Sequence, residues 1–198
     1  MRVIAGTAKG RPLKAVSGIG TRPTTDKVKE AIFSMIGPYF TSGRGLDLYA
    51  GTGGLGIEAL SRGLEHVIFI DLASASIQII QDNLRVVGFA DQAEVYRNDS
   101  LRALKLLQRR KLSFDLVFLD PPYNMKSVED ILRQMQLMDL LNDEATIVAE
   151  HEASHEYAEA FADFTRRKHN HYGDTAVSIY IFNKKPLSGG EYIGNNRA

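Results

Sequence analysis

The sequence predicts an α/β fold built on a doubly wound, mostly parallel sheet, and three observations predict it. Short apolar runs of strand length alternate with segments of helical periodicity from about residue 44 to residue 150. A glycine-rich loop, Gly51-Thr52-Gly53-Gly54-Leu55-Gly56, sits between a strand pattern and a helix pattern. The apolar run 114–119 is stopped by Asp120-Pro121-Pro122-Tyr123, because two prolines cannot continue a strand. Both features fall at the carboxyl ends of strands, where open α/β sheets bind ligands.

The elements follow in order. Residues 1–16 read as a β-hairpin, Arg2–Ala5 against Pro12–Val16 around a Gly6 to Gly10 loop. Gly18 and Gly20 mark a link. Thr24 or Thr25 caps a helix over 26–36, whose Val28, Ala31, Ile32, Met35 and Ile36 share one face; Gly37-Pro38 ends it. Strands are expected at 46–49, 66–70, 93–97, 114–119 and 145–150. Helices are expected near 55–62, 74–87, 100–110 and 126–138, with a short one at 154–162. A hairpin of 164–171 and 176–182 turns at Gly173-Asp174. The organisation is a basic hairpin extension and linker over 1–24, one domain over 25–185 and a flexible Gly- and Asn-rich tail over 186–198.

Composition narrows the class. The chain has 198 residues, 44% of them hydrophobic and 24% charged, which suits one soluble domain with a real core. No apolar run approaches a membrane span, and no signal-peptide core is present, so the cytoplasm is the expected location. The absence of cysteine excludes disulfides and thiolate metal sites. The five histidines form no ligand set; the His151/His155 pair reads as exposed or capping, and no metal is expected. The net charge of zero conceals an asymmetry. Residues 1–29 carry seven basic side chains against Asp26, a local +6, so the remainder carries −6. Arg166, Arg167 and Lys168, with His169 and His171 beside them, form a second basic cluster. Localised positive surface on a neutral protein fits a polyanionic partner.

The glycine loop matches G-x-G-x-x-G, and Asp71 ends the next strand twenty positions after Gly51, a spacing suited to a carboxylate on two ribose hydroxyls. That much describes a nicotinamide dinucleotide as well as S-adenosylmethionine (SAM). Asp47 separates the two. A carboxylate beside the loop repels a pyrophosphate and attracts an ammonium and a sulfonium. Asp99, in Asn98-Asp99-Ser100, ends the third strand and could accept from an adenine amino group or cap the following helix. The candidate cofactor-binding set is therefore Asp47, Tyr49, Ala50, Gly51, Thr52, Gly53, Asp71, Leu72, Asp99 and Ser100.

Asp120-Pro121-Pro122-Tyr123 supplies the complementary chemistry and forms the candidate catalytic set. The exocyclic amine of a nucleobase is a poor nucleophile because its lone pair is delocalised into the ring. The Asp120 carboxylate and the Pro121 carbonyl can hold the two amine hydrogens and favour a pyramidal nitrogen. The Tyr123 ring can stack on the base, worth about 1–3 kcal/mol. Aligning amine and methyl donor is worth up to about 7–11 kcal/mol. The base must leave its stack, which costs least in an RNA loop. Lys9, Arg11, Arg22 and Thr24 are the candidate RNA-binding residues.

Arg2-Val3-Ile4-Ala5-Gly6, Lys9-Gly10-Arg11, the segment Arg22 to Val28, Asp47 to Gly53, Asp120 to Tyr123 and Tyr172 to Thr175 resemble the bacterial RsmD family over about residues 1–183. The resemblance implies a Rossmann-like, seven-stranded SAM-dependent methyltransferase fold with an N-terminal β-hairpin. It implies transfer of a methyl group to the exocyclic N2 amine of one guanine in 16S rRNA, in the small ribosomal subunit; a monomer is the simplest reading of the chain. It also implies that Asp120, Pro121 and Tyr123 surround the amine and that Gly51, Gly53, Asp71 and Asp99 lie around SAM. Tyr49 stands where Phe is more usual, and Leu72-Ala73 stand where the family is often charged. Three alternatives are a DNA adenine-N6 methyltransferase, for which the chain has no spare target-recognition segment, an NAD-dependent dehydrogenase, supported by the glycine pattern alone, and a non-catalytic RNA-binding factor on the same fold.

Overall fold

The computed structural model describes residues 1–15, 25–121 and 127–184. The Gly18/Gly20 link, Arg22, Thr24, Pro122, Tyr123 and the tail 186–198 lie outside the described residues. Helix α1 spans Asp26–Ile36, and its cap is Thr25, whose hydroxyl accepts from the Val28 N–H. Then come β1 (Arg44–Asp47), α2 (Gly54–Ser61), β2 (His66–Asp71), α3 (Ser74–Val87), β3 (Ala93–Arg97), α4 (Ser100–Arg109), β4 (Phe114–Leu119) and α5 (Val128–Leu137). The chain ends in β5 (Leu141–Glu152), β6 (Ala160–Phe161), β7 (Phe164–Tyr172) and β8 (Thr175–Phe182).

The strands form one sheet in the order β3-β2-β1-β4-β5-β8-β7-β6. The β3, β2, β1, β4 and β5 neighbours pair in parallel, and the rest pair antiparallel. The sheet among the described residues thus has eight strands where seven are expected. The eighth is β6, two residues at the edge, and it replaces the helix expected at 154–162. The Phe161 ring decides this. It is buried against Phe164 and Tyr180, which fixes the segment beside β7 instead of freeing it to coil.

Helices cover both faces. One core layer joins Leu46, Ile68 and Val117 to Leu104, Leu107, Ile131 and Leu132 of α4 and α5. The other joins Phe69, Phe118 and Val148 to Ile32, Phe33, Ile57, Ile80 and Leu84 of α1, α2 and α3. Full burial of each such side chain contributes about 1.5–3 kcal/mol. Helix α2 presses close to β2 because Gly56 has no side chain: a Cβ there would stand 2.3 Å from the Phe69 ring. The chain leaves β1 towards β2 and β3, then returns to place β4 on the other side of β1. That reversal is the topological switch point, and a crevice opens there at the carboxyl ends of β1 and β4.

The N-terminal segment is packed into this body. Its hairpin ladder is short: the Arg2/Pro12 bridge, with Val3 N–H donating to Arg11 O and Gly10 N–H to Val3 O. Val3, Ala8 and Leu13 are buried in the core. The anchor is Glu58 of α2, which is fully buried. It accepts from the Ile4 and Ala5 N–H groups at 2.8 and 2.9 Å, from Arg62 Nε at 2.8 Å, and pairs with Lys29 of α1 at 3.5 Å. Lys29 also donates to the Arg2 carbonyl, and burial lowers its pKa against the pull of Glu58. Removing one partner of such a buried set strands the others. Glu58→Ala is expected to lower unfolding stability by about 3–5 kcal/mol, read by urea denaturation.

Candidate active site

Each candidate cofactor residue sits where a strand stops. Asp47 is the last residue of β1; it is buried and accepts from the Gly56 N–H at 3.2 Å. The chain then turns through Tyr49 and Ala50 into the glycine loop. Gly51 and Gly53 hold φ of +55° and +76°, and Gly53 N–H closes the turn on Ala50 O. Asp71, the last residue of β2, accepts from Gly51 N–H and from Ala73 N–H, both at 2.8 Å. Its carboxylate therefore bridges the glycine loop to the start of α3, beside the exposed Leu72. Asp99 is the cap of α4, with Oδ1 accepting from the Leu101 and Arg102 N–H groups. Tyr49 hydrogen-bonds Ser100, and burial raises its pKa.

Asp120 stands one residue beyond β4. Since Leu119 pairs with Ala149, it faces Glu150 of β5, just as Asp47 lies opposite Phe118 two residues earlier. Asp47, Asp120 and Glu150 thus crowd one side of the sheet at the switch point. Burial, with a further contribution from Asp71, pushes Asp47 up to about 7 against the bond from Gly56. Enclosure by protein, then repulsion from Glu150 and Asp47, pushes Asp120 up to about 7. Asp120 is nevertheless solvent-exposed, and water tempers the rise. Clustered carboxylates that resist ionisation fit a cationic ligand. A sulfonium and an ammonium meet that requirement, whereas a pyrophosphate would add to the repulsion. The described cavity lined by Gln108, Lys111, Asp139 and Lys184 lies near the amino ends of β4 and β5, away from this chemistry.

Known proteins resemble this chain over most of its length. The family model described as conserved hypothetical protein 95 matches residues 1–181. Bacillus subtilis YlbH is 51% identical over 180 residues, 91% of this chain and 98% of its own. The Haemophilus influenzae ribosomal RNA small subunit methyltransferase D is 38% identical over 153 residues, covering 77% of this chain and 79% of that one. The chain belongs to the RsmD family. Its Escherichia coli counterpart, also named ribosomal RNA small subunit methyltransferase D, is 30% identical over 180 residues, 91% of this chain and 89% of that one. The solved structure of Escherichia coli yhhF superposes with a TM-score of 0.79 at 27% identity, over 92% of this chain and 98% of that one. The RsmD fold, its methyltransferase activity and its SAM cofactor follow for this chain. The dehydrogenase reading falls with them.

Three residues that shape the site escape sequence reading. Glu150 lies in a strand chosen for its apolar run. Asn83 is buried on α3; its amide donates to both Thr52 O and Lys14 O while its oxygen accepts from Lys14 N–H, tying the glycine loop to the N-terminal segment. Glu58 carried a usable signal, because Gly54–Ser61 is otherwise apolar or small all round and a charge inside such a helix must be buried and paired. Lys9 and Arg11 are exposed on the N-terminal hairpin.

Two expectations test the site. Gly53→Val forces a β-branched residue into positive φ with its Cβ 3.3 Å from Ile57 and Ile80, so SAM binding measured by calorimetry should be lost. Asp47 has a folded pKa above its unfolded value, so its contribution to stability is complete below about 4 and disappears as pH rises through about 7. Asp47→Asn should therefore raise unliganded stability near pH 8 by roughly 2–4 kcal/mol, read by thermal melting, while weakening SAM binding.

Proposed function

We propose that this chain transfers a methyl group from SAM to the exocyclic N2 amine of one guanine of 16S rRNA in the small ribosomal subunit. The observation that supports this most is the placement of Asp120-Pro121 directly across the switch point from Asp47 and the glycine loop. The names of the Haemophilus and Escherichia relatives support the ribosomal substrate. The enzyme works as a monomer in the cytoplasm; no helix of the described residues is long and apolar enough to cross a membrane.

Bound SAM supplies a methyl group already activated on a sulfonium. The protein's part is to hold and align. Asp47 and the backbone of Ala50 to Gly53 take the methionine end, and Asp71 takes the ribose hydroxyls. Leu72 covers the adenine, and the Asp99 oxygen outside the α4 cap accepts from its amino group. Tyr49 and Ser100 brace Asp99. The Asp120 carboxylate and the Pro121 carbonyl hold the amine hydrogens of the target base. Tyr123 is assigned the stacking role on the base. A carboxylate whose pKa is raised towards 7 also accepts the proton that the amine sheds once methylated. Lys9, Arg11, Arg22 and Thr24 hold the RNA backbone, a contact weakened by salt.

Asp120→Asn should lower the rate of methyl transfer to unmethylated small subunits by about 10²–10⁴-fold and change SAM affinity little. Equal losses in both would remove Asp120 from the amine. Mass spectrometry of nucleosides from rRNA of a strain lacking this protein should show the loss of one N2-methylguanosine.

A further inference from the structure

Four of the five histidines gather at one place, in a form that sequence spacing does not reveal. His151 lies on β5 directly after Glu150 and is buried, contrary to the exposed or capping role expected for it. Its Nδ1 is 2.9 Å from Glu152 O and its Nε2 is 3.0 Å from the hydroxyl of Ser178 on β8. His169 of β7 places Nδ1 2.8 Å from the same hydroxyl and Nε2 3.0 Å from Nε2 of His171. The rings form a continuous surface. His151 stacks on His169 at 5.7 Å and meets Tyr157 edge-on at 4.8 Å, His155 meets Tyr157 at 4.2 Å, and His169 meets His171 at 4.7 Å.

His151 directly follows Glu150, the residue of β5 that faces Asp120, and points to the opposite face of the sheet. The ring surface meets the start of α5: the Tyr157 hydroxyl accepts from the N–H of Val128, its first residue. Arg166 braces it from β7, donating to Tyr157 O at 3.0 Å and pairing with Glu159 at 3.4 Å. Arg167 is exposed on the same strand, whereas Lys168 pairs with Ile179 and lies on the other face of the sheet. Exposed histidine and tyrosine rings are a material of single-stranded RNA binding, because bases stack on them.

The hydrogen bonds also have a fixed direction. A carbonyl oxygen can only accept, so His151 donates from Nδ1 to Glu152 O. With neutral rings, Ser178 then donates to His151, His169 donates to Ser178, and His171 donates to His169. The relay takes up one proton without breaking a bond: added at His171 Nδ1 it leaves the directions as they are, and added at His151 Nε2 it reverses the Ser178, His169 and His171 bonds together. Burial lowers the pKa of both His151 and His169, aided by neighbouring histidines and, at His169, by Arg166; Glu156 opposes it at His169. Glu150 and Glu152 on β5 and Glu129 and Asp130 on α5 complete the charged surroundings. A phosphate arriving at the exposed His171 would favour the protonated relay.

We propose that this ring surface docks the single-stranded RNA flanking the target base, with His155, Tyr157 and His171 stacking on nucleotides and the His151–Ser178–His169–His171 relay taking up one proton as the phosphodiester binds. The inference rests on the rRNA methyltransferase reading above and names the part of the enzyme that holds the substrate strand.

The test measures binding to unmethylated small ribosomal subunits, and SAM-dependent methylation of them, at about pH 6 and about pH 8 at fixed ionic strength. One proton taken up changes affinity by at most about tenfold per pH unit. The wild type, and a His66→Gln variant that alters the one histidine outside the cluster, should bind about three- to tenfold tighter at the lower pH. His155→Ala/His171→Gln changes two exposed side chains. It should bind about equally at the two pH values, about tenfold more weakly than the wild type at pH 8 and a further three- to tenfold more weakly at pH 6, with SAM affinity unchanged. If the wild type methylates the subunits and the double variant binds them as the wild type does at both pH values, the docking surface is wrong and the methyltransferase reading stands. If the double variant loses binding as expected but the wild type transfers no methyl group, the substrate assignment fails and the docking surface stands.

Discussion

One buried carboxylate holds together the parts of this protein that must act together. Glu58 takes bonds from two backbone amides of the N-terminal segment, from Arg62 on its own helix and from Lys29 of α1. A charge in that position is tolerated only because every partner arrives. The same helix begins at the glycine loop, and Asn83 fastens that loop to Lys14. The basic N-terminal segment and the glycine loop are thus two ends of one packed unit, and the position of one constrains the other.

The second constraint works against stability. Three carboxylates stand close together at the carboxyl ends of the strands, and burial, with their mutual repulsion, makes Asp47 and Asp120 resist ionisation. The fold holds this strain because the core beneath is dense, with Leu46, Ile68, Val117 and Phe69 fully buried around the strands that carry the acids. Under the proposed function, a cationic methyl donor would relieve that repulsion, whereas the pyrophosphate of a dinucleotide would add to it.

Much of the architecture was legible. The alternation of apolar strands with periodic helices marked all five helices of the described residues to within about two residues, because each buries one face. Asp71 and Asp120 were legible as acids at strand ends; Asp47 was legible as an acid beside the glycine loop, but it was expected inside a strand at 46–49 and instead ends β1. The failure at 154–162 has a physical cause: the segment has no strand alternation of its own and becomes β6 because Phe161 finds the Phe164 and Tyr180 rings. Glu150 was missed because it closes a run read for its apolar residues, and nothing in that run says which acid will face it from β4.

By itself the sequence determined the class of fold, the family and the chemistry of the two motifs, because glycines, prolines and strand-ending aspartates impose local geometry wherever they occur. Only the tertiary structure decided how the motifs meet. The strand order brings β4 beside β1, Asp120 beside Glu150, and four histidines from two strands and a loop into one cluster. Such neighbours are separated by tens of residues in the chain, and their meeting depends on the packing of the whole sheet, which no local pattern encodes.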